Sequence, residues 1–313
     1  MHATWKAHRL RFHKPATTSR GTLLDKPSYF LALSTDAAWG LGECSPLPGL
    51  SLDDRPDLEA VLTALCQRLE TGETVEEVEL ADFPALRFAL ETARLGLEAG
   101  DAALFPSAFS AGQRAIPING LIWMADRRDM ANQIRDKLAQ GFRCIKLKIG
   151  ALDFEEEIGL LQALRREYSP DDIEIRVDAN GAFQPGEALV KLQRLAELQL
   201  HSIEQPIRAG QHGAMARLVA ETPLPIALDE ELIGIHDGAA RCALLETIRP
   251  HYLILKPSLL GGLAQAEAWI RLARERGIGW WVTSALESNL GLNVLAQWTA
   301  TLDNPLPQGL GTG

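Results

Sequence analysis

The sequence is poor in cysteine, in aromatic residues and in long apolar runs. It holds four cysteines among 313 residues, and aromatic side chains make up 6%. The cysteines are Cys44, Cys66, Cys144 and Cys242. Because they are far apart and form no CxxC pair, we expect reduced thiols rather than disulfides or a zinc site. No stretch reaches the roughly 18 apolar residues of a membrane span, and the first residues lack the apolar core of a secretory signal. We therefore expect a cytoplasmic protein.

The sequence also lacks an excess of positive charge and any histidine metal motif. Lys and Arg number 31 against 41 Asp and Glu, which gives a formal net charge of −10. This balance argues against nucleic acid or an anionic membrane as the main partner. The seven histidines form no HxxH or HExxH pattern, so histidine catalysis is not favoured. We expect a small-molecule carboxylate substrate as the partner, and the sequence leaves the oligomeric state open.

The first hundred residues predict a small α+β unit. Strands are predicted at 5–13 and 28–34, and the Gly- and Pro-rich segment 41–52 is typical of an exposed loop. Helical periodicity follows at 57–70 and 84–99. Since strands precede helices, we assign residues 1–105 to an α+β domain, with its boundary near 105–115.

From Ile116 onward, short apolar runs alternate with helical segments. Strands are predicted at 116–122, 144–149, 173–178, 202–205, 225–229, 252–256 and 279–284, with an eighth near 308–313. Helices are predicted at 127–140, 153–168, 186–198, 212–221, 237–246, 262–276 and 288–299. This alternation predicts βαβ units and a parallel sheet, and no GxGxxG follows the first strand to indicate a dinucleotide fold. The fold class is therefore α/β, with a TIM-like barrel over 106–313 whose C-terminal tail returns to the first domain.

Polar residues recur at the carboxyl ends of these strands, roughly once per βα unit. They are Lys146, Lys148, Asp178, Asn180, Glu204, Asp229, Lys256 and Ser284. In a parallel barrel all strands end on the same face, and active sites form there. The repeated spacing therefore predicts that these distant residues meet at one mouth of the barrel.

The three carboxylates on successive strands indicate a magnesium site. Asp178, Glu204 and Asp229 would offer hard oxygen ligands, which suit Mg²⁺ and also Mn²⁺. Taken singly, each carboxylate could instead be a helix cap or an ion-pair partner. Three together would repel one another, and a bound cation resolves that repulsion.

Two lysine sites flank the carboxylates. Lys146 and Lys148 are two residues apart on one strand, so both face the same side. Lysines that are buried or close together have depressed pKa values and act as bases, whereas an isolated lysine more often extends to the surface. Lys256 would approach from the opposite side of the mouth.

Six segments of the chain resemble successive strand motifs of the enolase superfamily, in its muconate-lactonizing subgroup: CIKLKIG, RVDANGAF, SIEQP, ALDEEL, ILKPSLLGG and TSALESNLGL. The resemblance covers most of the chain. It implies an α+β capping domain followed by a (β/α)7β barrel. It also implies that Asp178, Glu204 and Asp229 bind Mg²⁺, that Lys148 is the base, and that Lys256 stabilises an enediolate from the opposite face.

Within the subgroup, TSALESNLGL and Arg176 most resemble the dehydratases of menaquinone biosynthesis. Their activity implies a lyase that converts 2-succinyl-6-hydroxy-2,4-cyclohexadiene-1-carboxylate to 2-succinylbenzoate. The substrate-binding candidates are Lys146, Arg176, Asn180 and Ser284 with the turn 285–289; Arg20 and the loop 41–52 would close over the substrate. For Ser284, an ordinary helix cap is the alternative.

Three other functions stay open at this stage. A dipeptide epimerase is expected to carry Asp-x-Asp near the last strand, and Glu287-Ser288-Asn289 matches that poorly. An N-succinylamino-acid racemase would use the same lysines and an overlapping pocket. A non-catalytic barrel would be expected to lack a ligand or a lysine, and none is missing.

Overall fold

The N-terminal part of the molecule is an antiparallel sheet followed by helices. The computed structural model describes residues 1–75 and 77–311. The sheet has the order β1-β2-β3, and its strands are β1 (His2–Thr18), β2 (Gly21–Ser34) and β3 (Trp39–Cys44). The helices that follow are α1 (Leu58–Glu70), a 3₁₀ turn (Glu77–Leu80) and α2 (Pro84–Ala99). The strand-then-helix order predicted from the sequence is confirmed.

Strand β3 packs directly on helix α2 because two of its residues are glycines. A Cβ on Gly40 would lie 1.9 Å from the carbonyl oxygen of Ala93, and one on Gly42 would lie 1.8 Å from that of Ala89. The prediction of an exposed loop over 41–52 is therefore wrong in its first part, since residues 42–47 are buried. Glycine in a strand here marks a close backbone approach rather than a turn.

The remainder of the chain forms a seven-stranded parallel sheet whose order follows the sequence. Its strands are β4 (Gly120–Ile122), β5 (Cys144–Lys148), β6 (Glu174–Asp178), β7 (Ser202–Glu204), β8 (Ile226–Leu228), β9 (Tyr252–Leu255) and β10 (Gly279–Val282). Its helices are α3 (Arg127–Ala139), α4 (Phe154–Glu167), α5 (Pro185–Ala196), α6 (His212–Glu221), α7 (Gly238–Ile248), α8 (Pro257–Leu260), α9 (Leu263–Glu275) and α10 (Asn289–Ala300). The predicted alternation of strands and helices is confirmed; α8 is an addition to it.

A short C-terminal segment bridges the two outer strands of this sheet. Gln308 forms a parallel bridge with Ile118, just before β4, and Gly309 forms one with Thr283, just after β10. The Gly309 amide donates to the carbonyl of Val282 at 2.7 Å. A Cβ at position 309 would lie 2.4 Å from Thr283 Oγ1, so the bridge requires glycine. The predicted eighth strand falls partly on this segment, and residues 312 and 313 lie outside the described residues.

Two apolar cores support the two sheets. The larger one joins the parallel sheet to its surrounding helices and includes Ile145, Leu147 and Val177. The smaller one joins the antiparallel sheet to α1 and α2 through Leu31, Leu62 and Leu86. In residues 1–75 and 77–311, every helix is too short or too polar to cross a membrane.

Candidate active site

The predicted polar residues meet at the carboxyl ends of the parallel strands. Side chains alternate along β5, so that Ile145 and Leu147 enter the larger core while Lys146 and Lys148 face the other way. The backbone register places Lys148 directly beside Asp178, and Asp178 directly beside Glu204. Three of the predicted residues are therefore immediate neighbours across adjacent strands.

Buried lysines and carboxylates form one network of alternating charge. Lys146 Nζ donates to Glu204 and lies 3.0 Å from Asp178 Oδ2. Lys148 Nζ donates to Asp178, and also to Asn180 Oδ1 at 3.1 Å.

Across the mouth, Lys256 Nζ donates to Asp229 and lies 3.9 Å from Glu204 Oε1. All three ammonium groups and all three carboxylates are buried. Charges taken this far from water are stable only when paired, so the six groups depend on one another.

The two lysines of β5 have opposite pKa shifts. Burial lowers the pKa of Lys148, and the nearby charges of Lys146 and Lys256 add to the effect of burial against the opposing charge of Asp178. Burial also acts on Lys146, but the charges of Asp178 and Glu204 outweigh it and raise its pKa. Lys148 is therefore the lysine of this pair that gives up its proton more easily, as a general base requires.

The carboxylates are likewise unequal. Burial raises the pKa of Glu204 to about 8, and the charges of Asp178 and Asp229 act in the same direction. For Asp178, the charges of Lys146 and Lys148 outweigh burial and hold the pKa well below its ordinary range. Glu204 is thus protonated more readily than Asp178.

The chemistry of this donor set fits a divalent metal ion. Glu204 Oε1 is buried and accepts no hydrogen bond. As the side chains stand, the described residues include no group of three His, Cys, Asp or Glu side chains drawn together tightly enough for a metal. The reason is local: each carboxylate is bonded to a lysine. An ion at Asp178, Glu204 and Asp229 would take over oxygen atoms that the lysines now contact.

Two residues beside the network have an unusual backbone conformation. Asn180 and Gln205 have φ angles of 46° and 39°, a region that non-glycine residues rarely occupy. The Asn180 amide donates to Asp178 Oδ1 at 3.0 Å, and Gln205 Oε1 accepts from the Asp229 amide at 3.2 Å. Gln205 also donates to Glu231 Oε2 at 2.9 Å. This strain orients Asp178 and the segment of Asp229.

Gln205 and Glu231 were missed by the sequence analysis. Gln205 directly follows Glu204, and Glu231 lies two residues after Asp229. Glutamine is not a residue type that predicts a positive φ such as that of Gln205. The sequence signal available was the run SIEQP itself, which places a polar residue directly after Glu204.

A cavity of about 220 Å³ lies over the network, between the two sheets. Its floor includes Lys146, Lys148 and Lys256, and the antiparallel domain contributes Arg20, Leu23, Leu47 and Leu50 to its opposite wall. The segments expected to close over a substrate therefore do line the cavity. The lining combines lysine ammonium groups with apolar side chains, which suits a carboxylate attached to a hydrocarbon ring.

The tip of the β1–β2 hairpin is fastened to the strand ends. Ser19 Oγ donates to the carbonyl of Ala179 at 2.9 Å, and Arg20 donates to Glu230 Oε1. Asn180 Nδ2 donates to the same Glu230 oxygen at 3.1 Å. The hairpin thus contacts residues that directly follow Asp178 and Asp229.

Ser284 lines the cavity, and Arg176 lies elsewhere. The Arg176 guanidinium stacks 3.9 Å above the ring of Trp281 and donates to the carbonyl of Pro307 at 2.8 Å. Arg176 faces the same side of β6 as Asp178, but it lies two residues earlier, which is roughly 7 Å along the strand from Asp178. Arg176 therefore packs deeper among the strands, where it does not line the cavity as described.

Known proteins are similar to this chain along its whole length. Residues 129–311 match the family model described as enolase C-terminal domain-like. The chain is 49% identical to the o-succinylbenzoate synthase of Desulfotalea psychrophila, over 100% of this chain and 94% of that protein. The chain belongs to the o-succinylbenzoate synthase family of the enolase superfamily.

Solved structures agree with this membership. The crystal structure of MenC from Desulfotalea psychrophila has a TM-score of 0.89 to this chain at 46% identity, and covers 100% of this chain and 94% of that one. A substrate-liganded complex of the L-Ala-D/L-Glu epimerase from Bacillus subtilis has a TM-score of 0.82 at 21% identity, over 99% of this chain and 89% of that one. The second likeness shows the shared fold alone. The enolase-superfamily resemblance expected from the strand motifs is confirmed.

Proposed function

We propose that this chain is an o-succinylbenzoate synthase, which removes water from 2-succinyl-6-hydroxy-2,4-cyclohexadiene-1-carboxylate to give 2-succinylbenzoate. The observation that carries this proposal is the 49% identity to a synthase of that name over the full chain. The site adds chemical support, because lysines lie on a cavity floor opposite an apolar wall. The reaction belongs to the carbon–oxygen lyases and serves menaquinone biosynthesis.

In this proposal Lys148 moves the protons. Because its pKa is lowered, Lys148 gives up its own proton more easily than an ordinary lysine, and the neutral amine then takes the proton from C1 of the ring, next to the carboxylate. The C1–C6 double bond then forms as the C6 hydroxyl leaves, and the Lys148 ammonium returns the proton so that water departs. Removal and departure on the same face make the elimination syn. The product ring is aromatic, which adds driving force.

Lys256 has the complementary role. It directly follows β9, the strand four places beyond β5 in the sheet order, so it approaches the site from the side away from Lys148. The charges of Asp229 and Glu204 outweigh burial and raise the pKa of Lys256, which keeps it an ammonium. A fixed cation beside the substrate stabilises the negative charge that develops as C1 loses its proton. Lys146 and Ser284, which line the cavity, would orient the substrate, and Asn180 would act through its hydrogen bond with Lys148.

The charge of the site supports Mg²⁺ held by Asp178, Glu204 and Asp229. The buried network pairs three lysines with three carboxylates, and a dicarboxylate substrate would add two negative charges. A divalent cation restores the balance, which buried groups require. When bound, the metal would acidify the proton next to the coordinated carboxylate. Mn²⁺ has the same ligand preference.

The architecture proposed for this activity is a capping domain on a closed barrel. Residues 1–105 would form the cap and residues 106–313 a (β/α)7β barrel, with the tail at the cap. Support for closure comes from the 308–309 bridges to both outer strands. Support for the division comes from the separate core of the antiparallel sheet.

The decisive experiment follows diene absorbance after mixing purified protein, Mg²⁺ and the cyclohexadiene acid. We expect the absorbance to fall as 2-succinylbenzoate forms, and no fall with Lys148→Ala. A protein that leaves the diene unchanged but racemises N-succinylamino acids would overturn the proposal and establish a racemase on the same scaffold.

A further inference from the structure

A carboxylate of the antiparallel sheet caps α10, a helix that follows the last strand of the parallel sheet. Glu43, near the end of β3, is fully buried. It accepts hydrogen bonds from the Ser288 amide at 2.8 and 3.0 Å, from Ser288 Oγ at 2.6 Å, and from the Gly291 amide at 2.9 Å. These donors belong to the first turn of α10, whose amides have no partner within the helix. The first turn of α10 is therefore capped by a residue of the antiparallel sheet.

Glu43 is itself held in place from its own domain. Gly40 and Gly42 seat β3 on α2, and Glu43 continues that strand. Ser28 Oγ donates to Glu43 Oε1 at 3.1 Å. On the α10 side, a Cβ at Gly291 would lie 3.0 Å from Glu43 Oε2, so glycine leaves room for the carboxylate.

The turn that leads into this helix lines the cavity. Ser284 and Leu286 both face it. Leu286 has a φ of 61°, a left-handed conformation that a non-glycine residue rarely adopts and that persists only where the surroundings enforce it. Glu287 holds the turn from inside, since it accepts from the Ala285 amide at 2.7 Å and from Ser258 Oγ at 2.5 Å. Glu43 holds the end of the turn that leads into α10, through its bonds with Ser288.

We propose that Glu43 is a positioning residue for substrate binding: by fixing Ser288 and Gly291, it sets the turn 284–288 against the capping domain and so places Ser284 and Leu286 at the substrate. This rests on the proposed function for the choice of substrate. Glu43 acts through the turn, while the lysines act on the reacting ring. Its removal therefore affects binding more than turnover.

The test is the split between KM and kcat in Glu43→Gln, which keeps the size of the side chain but turns an NH₂ group toward N–H donors. We expect KM for the cyclohexadiene acid to rise at least about fivefold, as for a weakened hydrogen-bonded contact, with kcat changed less than about twofold. The matched control is Asp237→Asn, which weakens the cap on Ala240 at the start of α7. It should lower Tm and leave KM unchanged.

A Glu43→Gln variant with wild-type KM would overturn the proposal, and so would an equal rise of KM in Asp237→Asn. Glu43→Asp retains the carboxylate and should give a KM between wild type and Glu43→Gln. If Glu43→Gln does not fold, Ser288→Ala removes one donor and should still raise KM; a wild-type KM there counts against the proposal. A wild-type protein inactive on the diene refutes the proposed function instead, and the same KM comparison then uses the N-succinylamino acid that it racemises.

Discussion

Arg20 and Glu230 form an ion pair between the tip of the β1–β2 hairpin and the end of the parallel sheet. Glu230 directly follows Asp229, and its Oε1 atom also accepts from Asn180, the partner of Lys148. Through Glu230, the hairpin tip is therefore connected both to Asp229 and, by way of Asn180, to Lys148. Since Arg20 also lines the cavity, the pair completes the wall over the substrate.

We predict that Arg20→Met lowers kcat/KM at least about tenfold, which corresponds to roughly 1.4 kcal/mol of lost transition-state stabilisation. The physical reason is that the hairpin tip loses the ion pair with Glu230 and keeps its Ser19 bond to Ala179, so it is held less firmly and admits water to the cavity. Steady-state kinetics on the cyclohexadiene acid measure this fall in kcat/KM. Arg9→Met is the matched control, since Arg9 pairs with Asp25 on an exposed part of the same hairpin and should behave as wild type. Wild-type kinetics in Arg20→Met would contradict the prediction.

Variants of Lys148 and Lys256 should differ in the exchange of the substrate's α-proton with deuterium. Lys148→Ala should abolish turnover and the exchange of the α-proton in D₂O, because it removes the base. Lys148→Arg should be equally inactive, since an arginine keeps the charge but does not give up its proton. Lys256→Ala should raise the barrier by several kcal/mol, on the scale of a lost oxyanion donor.

NMR of recovered substrate in D₂O measures this exchange. In a racemase, by contrast, each alanine variant would still exchange one enantiomer of its substrate, because each lysine serves one face. Such enantiomer-selective exchange would identify a racemase.

Metal removal should abolish activity. Excess chelator should stop turnover, Mg²⁺ or Mn²⁺ should restore it, and Zn²⁺ should serve poorly because the donors are hard oxygens. Asp178→Asn should lose more than about a hundredfold in kcat/KM, since it removes a ligand and the shared partner of two lysines. Glu155→Gln, which alters only an exposed pair with Arg194, is the control. Full activity in chelator, with no metal by elemental analysis, would refute the site.

That the polar strand-end residues lie together could be predicted from sequence, because they repeat with the βα unit. Lys148, Asp178 and Glu204 each end a strand, and a parallel register makes strand ends neighbours. The same logic failed for Arg176, because alternation fixes the face of a residue but not its depth in the sheet. The period and phase of the pattern thus predicted which residues follow the ends of the parallel strands, while the reach of each side chain depended on packing.

The contacts between distant segments could not be predicted. Glu43 caps a helix 245 residues later along the chain, and no local pattern encodes that partner. Gly40 and Gly42 lie in a segment whose composition is typical of a loop, yet they let β3 approach α2. Likewise, the left-handed backbone of Gln205 results from the hydrogen bonds around it. Such features depend on tertiary structure and are invisible to propensity.

Asp53 is another cap of this long-range kind, at the start of α2. Its carboxylate is fully buried and accepts from the amides of Ala85 at 2.9 Å and Leu86 at 3.0 Å. The residue at the cap position itself, Phe83, offers no side-chain acceptor. Burial raises the pKa of Asp53 to about 6, and the two amide bonds oppose that rise only in part.

This raised pKa predicts how stability depends on pH. Between about pH 4 and pH 6 the folded state holds the Asp53 proton more tightly than the unfolded state does, so its contribution to stability falls as pH rises, by up to about 3 kcal/mol. Asp53→Asn keeps an acceptor and cannot ionise, so the stability difference between wild type and this variant should shrink or reverse with rising pH. Urea unfolding of both at pH 4, 5, 6 and 7 measures it. Relative to Asp53→Asn, Asp53→Ala should lose about 1–3 kcal/mol at every pH, because neither variant ionises at this position and two buried amides lose their acceptor. A pH-independent difference between wild type and Asp53→Asn would show that Asp53 has the same pKa in both states.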